Sequence, residues 1–168
     1  MIFATVGTHE QPFDRLIKAL DDLVCQGKIQ EEVLIQTGFS TYEPKYCQWS
    51  RMLPFHEMQA SVQKARIVIT HGGPASFMLP LQMGKIPVVV PRQARFGEHV
   101  NDHQVDFVRQ LSERTDLILP VYEIETLGNV ILGFEKTAAK GVKTIHSHNE
   151  AFNQALEQII LELMEMPK

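Results

Sequence analysis

The stretch Ile67-Val68-Ile69-Thr70-His71-Gly72-Gly73-Pro74-Ala75-Ser76 decides the fold. A short, apolar, buried strand runs into a Gly-Gly turn and passes straight into a helix, for whose first turn Pro74 is suited. That helix is expected to run to about Met83, with Gly84 at its C-terminal cap. A buried strand handed to a helix through glycines is a unit of a parallel α/β sheet.

Working outward, the same alternation repeats. Ile2–Val6 is a short apolar strand ending at Gly7, and from Pro12 a helical spacing places Phe13, Leu16, Ile17, Leu20 and Leu23 on one face. Glu32–Gln36 is a second strand and Tyr46–Trp49 a short third one. Phe55–Ala65 reads as a helix before the Ile67–Thr70 strand, and Val88–Val90 as a strand after the Gly84 stop. Val100–Leu111 is helical, Leu117–Leu119 a strand and Tyr122–Leu132 helical. Asn149 suits the cap of a last amphipathic helix carrying Phe152, Leu156, Ile159, Ile160 and Leu163. Its apolar stripe serves either the chain's own core or a docking surface, which would also allow homo-oligomers. Strands alternating with helices imply one domain over residues 1–168, with a parallel sheet covered on both faces. Such sheets take ligands beyond the carboxyl ends of their strands.

Bulk composition bounds the function. The 168 residues include 44% hydrophobic and 21% charged residues, ordinary for a globular domain long enough to bury a core. A net charge of -4 supplies no basic excess for nucleic acid. Cys25 and Cys47 are far apart and form no C-x-x-C pair, so a reducing compartment is expected rather than a disulfide or zinc site. The opening Met1–Gly7 lacks a basic leader, which argues against a signal peptide, and no apolar run is long enough to span a bilayer.

Three constellations collect at strand ends. In the first, His71-Gly72-Gly73-Pro74-Ala75-Ser76, glycines allow close backbone approach and a helix N-terminus offers unpaired N–H groups. This is a cradle for phosphate or pyrophosphate, to which Ser76 adds a hydroxyl; the plain alternative is a tight turn. An esterase oxyanion hole is set aside because no G-x-S-x-G elbow is present. The second, Pro91–Gln104, is rich in short polar side chains of the kind that pair with sugar hydroxyls. His99 and His103 stand four apart, but Val100 occupies the place where the zincin pattern requires Glu, so solvated histidines are the better reading. In the third, Thr5–Pro12, His9 reaches the crevice from the first strand, where it suits anion binding or proton transfer; the plain alternative is a lone loop histidine that does neither.

These pieces, VGTHEQPFDRL (residues 6–16), THGGPAS (70–76), GKIPVVVPR (84–92) and FGEHVNDHQ (96–104), resemble the C-terminal, donor-binding domain of glycosyltransferase family 28. The resemblance covers essentially the whole chain. It is nearest to the soluble subunits of two-component bacterial capsule and exopolysaccharide galactosyltransferases. It extends to the soluble subunit of the dolichol-linked N-acetylglucosaminyltransferase.

The resemblance implies an α/β, Rossmann-like, doubly wound parallel sheet, the C-terminal half of a GT-B architecture. It implies a UDP-sugar donor, no cofactor and no metal. It also implies a membrane-anchored, acceptor-binding partner subunit, which would hold this chain at the cytoplasmic face of the membrane. Carried over by position, Gly7, Thr8 and His9 face the diphosphate, and Leu53, Phe55 and Met58 hold the uracil. Gly72, Gly73 and Ser76, preceded by His71, form the pyrophosphate turn, while Asp102, His103 and Gln104 read the sugar hydroxyls. Arg92 or Arg95 would assist the UDP leaving group, and His9 is the candidate base on this chain, the alternative lying on the partner. One position departs from the pattern: where many relatives carry a ribose-gripping Glu, this sequence has Leu79, followed by Pro80.

Overall fold

The structure, a computed structural model, describes residues 1–139 together with Gln158 and Leu161. Six strands, β1 (Ile2–Thr5), β2 (Val33–Gln36), β3 (Gln48–Ser50), β4 (Ile67–His71), β5 (Val88–Val90) and β6 (Leu119–Pro120), form one sheet in the order β3-β2-β1-β4-β5-β6. All five pairings are parallel. Helices α1 (Asp14–Cys25), α2 (Phe55–Lys64), α3 (Pro74–Gln82), α4 (His103–Arg114) and α5 (Leu127–Leu132) alternate with them. Asn149 and the apolar residues Phe152, Leu156, Ile159, Ile160 and Leu163 expected on a C-terminal helix lie outside the described residues.

Alternation along β1 assigns the two faces of the sheet. Ile2 and Ala4 join the larger core with Leu16, Ile17 and Leu20 of α1. Phe3, between them, joins a smaller core with Val62, Ala65 and Val68, against which Met58 and Leu79 pack. Burial on both faces is why these strands read as unbroken apolar runs. The strand order reverses at β1, so the crevice beyond β1 and β4 is the topological switch point where doubly wound sheets bind ligands.

Several element bounds differ from the sequence reading for identifiable reasons. The third strand begins at Gln48 rather than Tyr46, because the carboxylate of Asp21 takes the backbone N–H groups of Lys45, Tyr46 and Cys47 at 2.8–3.1 Å. Amides bound to a carboxylate are withdrawn from the sheet ladder. Helix α4 begins at His103 rather than Val100. The segment before it closes on itself, with Asp102 Oδ1 accepting the Ala94 N–H at 2.8 Å and a 3-10 turn over Ala94–Phe96. The helix expected over Tyr122–Leu132 divides into a 3-10 turn, Ile124–Thr126, and α5. The last strand is Leu119–Pro120, displaced from Leu117–Leu119, and pairs with Val88 and Val89 of β5. Pro80 sits inside α3, which continues past it to Gln82.

Candidate functional site

A cavity of about 590 Å³ opens beyond the carboxyl ends of β1, β2 and β4, between α2 and α3. That size suits a small-molecule ligand, and the place is the switch point. Eight of the expected positions line it together: Gly7, Thr8 and His9 after β1, Phe55 and Met58 on α2, and His71, Gly73 and Ser76 at the β4–α3 turn. Phe55 is 66% exposed, an aromatic face left open at the rim.

The imidazole of His71 organises the turn. Nδ1 accepts the backbone N–H of Gly73 at 3.0 Å, and Nε2 meets Ser76 Oγ. A methyl group on Gly7 would lie 2.5 Å from Nε2, and one on Gly73 would overlap Cε1. The two glycines therefore make room for this ring, in addition to any ligand. Gly7 also has φ of +74°, a conformation that favours glycine.

Gly72 serves a different contact. Its N–H reaches Gln104 Oε1 at 3.0 Å, and that same oxygen accepts the Arg92 N–H at 3.1 Å. Gln104 thus ties the end of β4 to the end of β5. A methyl group on Gly72 would stand 3.0 Å from Gln104 Cβ and from Val108 Cγ2, so this glycine admits α4.

Six further expected residues lie outside the cavity lining. Arg92 is fully buried, donating to the carbonyls of Val6 at 2.8 Å, Gln11 at 2.7 Å and Glu98 at 3.0 Å, with its guanidinium 4.8 Å from the Phe13 ring. It fixes the loop after β1 from beneath. Arg95, its suggested alternate, is engaged by Glu123 at 3.0 Å and by Gln93 at 2.7 Å. Leu53 packs on the smaller core. Asp102 holds the Ala94 amide, His103 is exposed at the start of α4, and Gln104 is the β4–β5 tie just described.

Burial and the charge of Arg92 dominate the electrostatics of the site. Burial, with the Arg92 charge second, lowers the His71 imidazole to about 4, against the raising influence of the Gln104 side chain; His9 and His99 add to the lowering. His9 is likewise held below its ordinary value, first by desolvation, then by Arg92 and His99, with Glu10 opposing. Burial brings Arg92 itself to about 10, against the raising influence of Glu98. His9 and His99 meet with ring centroids 4.8 Å apart. Among the described residues, no cluster of His, Cys, Asp or Glu side chains is arranged to hold a metal ion.

Sequence reasoning did not anticipate several members. His99 contacts His9, a meeting of two loops that no spacing in sequence reveals. Thr5 and Gln36 line the cavity and are hydrogen-bonded to each other through Thr5 Oγ1 and Gln36 Oε1. Polar residues closing apolar strands were the available signal. Leu79 lines the same cavity, so the expected ribose position faces the ligand space with a side chain that accepts no hydrogen bond.

Solved structures that superpose on this chain include three glycosyltransferases. The glycotransferase of kitacinnamycin superposes with a TM-score of 0.59 at 13% identity, over 98% of this chain and 43% of that one. The calicheamicin glycosyltransferase CalG4 gives 0.56 at 14% identity, over 99% and 43%. The glycosyltransferase SnogD from Streptomyces nogalater gives 0.50 at 18% identity, over 99% and 39%. The chain thus spans about two fifths of the length of these structures, and at such identities the likeness shows the fold. No curated protein sequence matches the chain significantly. The fold is the Rossmann-like C-terminal half of a GT-B architecture, and the family model for the glycosyltransferase family 28 C-terminal domain matches residues 1–159. The chain belongs to the glycosyltransferase family 28 C-terminal domain family.

Proposed function

We propose that this chain binds a UDP-sugar donor and forms the donor half of an inverting glycosyltransferase, completed by a membrane-anchored subunit that holds the acceptor. The observation carrying this reading is the switch-point cavity, where the loop after β1 and the start of α3 converge on one ligand-sized space. The nine-residue helix α3 turns its N-terminus toward that space, and the buried Arg92 charge lies behind the β1 loop. Both favour a diphosphate and the charge that grows on it as UDP departs. Phe55 and Met58 offer an apolar wall for a base. His9, exposed at the rim, is the candidate proton acceptor on this chain; the acceptor sugar and its site belong to the partner.

Galactose as the transferred sugar, a lipid-linked acceptor, a role in capsule or exopolysaccharide assembly and a cytoplasmic site of action rest on the family resemblance. Among the described residues no helix is long and apolar enough to cross a membrane. Membrane contact through the partner is the arrangement we favour.

A second reading has its own support. Leu79 stands in the cavity where many relatives place a ribose-binding carboxylate. A subunit with weakened donor binding would serve instead as a non-catalytic stabiliser of a catalytic partner.

Calorimetric titration of UDP into the chain and into a Gly73→Asp variant tests the two. We expect wild-type binding that the variant abolishes, since the new carboxylate would crowd His71 and repel phosphate. Absence of binding by the wild-type chain would shift the assignment to the stabilising role.

A further inference from the structure

His71 makes contacts on both ring nitrogens, and together they dictate where its proton sits. The Gly73 N–H points at Nδ1 from 3.0 Å, so Nδ1 must carry a lone pair. A neutral imidazole then has its hydrogen on Nε2, the atom that meets Ser76 Oγ. Turning the ring over would place carbon against both partners and forfeit both hydrogen bonds. Burial and the neighbouring positive charge of Arg92 keep the ring neutral.

Ser76 is therefore the acceptor in this pair. A serine hydroxyl has one hydrogen, and when a lone pair is engaged by an imidazole N–H that hydrogen is free to be donated elsewhere. No second partner of Ser76 Oγ occurs among the described residues, and both side chains line the switch-point cavity. The arrangement is opposite to a nucleophilic dyad, in which the histidine must present a bare nitrogen to the serine oxygen.

We propose that His71 is a positioning residue for Ser76: by donating from Nε2 it orients the serine hydroxyl so that its O–H points to a phosphate oxygen of the bound nucleotide. This deepens, and rests on, the reading of the cavity as a nucleotide-diphosphate site. The chain of hydrogen bonds runs from the Gly73 amide through the ring to Ser76 and on to the ligand. The backbone of the turn thereby sets the direction of a side-chain donor.

Two measurements test the assignment. Long-range 1H–15N correlation spectra of the wild-type chain at pH 7 should show His71 bare at Nδ1 and protonated at Nε2. Calorimetry with UDP should show Ser76→Ala and His71→Phe each weakening binding by roughly ten- to a hundredfold, the range of a hydrogen bond to a charged group. The double variant should be no weaker than the worse single one, since both remove the same donated hydrogen bond. A proton on Nδ1, or losses that simply multiply, would overturn the proposal while leaving the nucleotide site intact. A wild-type chain that fails to bind UDP would overturn the nucleotide reading, and with it the proposed phosphate contact; the spectra would still decide the His71–Ser76 arrangement.

Discussion

Gly73 and His71 are bound twice over: the glycine N–H donates to the ring at 3.0 Å, and the space a side chain on Gly73 would need is occupied by that same ring. Removing the ring should therefore change the cost of filling the glycine. Gly73→Ala is expected to destabilise the wild-type chain by about 1–3 kcal/mol, the range of overpacking. In a His71→Ala background the cost should largely vanish. Urea denaturation of the four chains measures the coupling, and additive costs would contradict the arrangement.

Acid should weaken the fold before its carboxylates titrate. The folded His71 value of about 4 lies below the ordinary 6.5, so the unfolded chain takes up a proton first. Its contribution is complete above pH 6.5 and is lost as pH falls toward 4, on the order of 2 kcal/mol between pH 7 and 5. His9, also lowered, acts in the same direction. Asp21 and Glu31 are lowered below the ordinary carboxylate range, so their losses come at more acid pH. Unfolding free energy followed from pH 7 to 5 should decline in the wild type and much less in His71→Phe.

Arg92→Met tests whether this buried cation acts mainly as a backbone fastener. The change strands the carbonyls of Val6, Gln11 and Glu98. A loss of about 3 kcal/mol, or roughly 6–12 °C in Tm, is expected. A variant with unchanged Tm and selectively lost UDP affinity would instead make Arg92 a ligand contact.

Leu79→Glu should restore a ribose acceptor to the cavity. We expect UDP to bind roughly three- to tenfold more tightly, within the range of one net hydrogen bond. Binding of 2′,3′-dideoxy-UDP should show no such gain. Equal gains for both nucleotides would place the ribose elsewhere.

Much of the fold is legible in the sequence. The apolar runs at Ile2–Thr5, Ile67–Thr70 and Val88–Val90 announced a buried parallel sheet, because strands covered on both faces need no polar alternation. Likewise, the glycine turns and the loop after β1 converge on the switch point as their strand-end positions implied. What the residues hid were partnerships between segments distant in sequence. Arg92 read as a free cation because nothing in the sequence announces that it is surrounded by two carbonyls from the loop after β1 and one from its own loop. The glycines at positions 7 and 73 read as space for a ligand, whereas the first occupant of that space is His71. Asp21, to which the apolar spacing of its helix gives no role, is buried at the centre of a hydrogen-bonded loop.

That buried carboxylate has a consequence for how the molecule breathes. The amides of Lys45, Tyr46 and Cys47 belong to no helix or strand, yet each is held by a side chain of α1. Hydrogen exchange at these three positions is thus tied to the opening of α1 rather than to loop motion. An irregular segment at the margin of the sheet should exchange as slowly as the helix that grips it, and Asp21→Ala should release all three amides together.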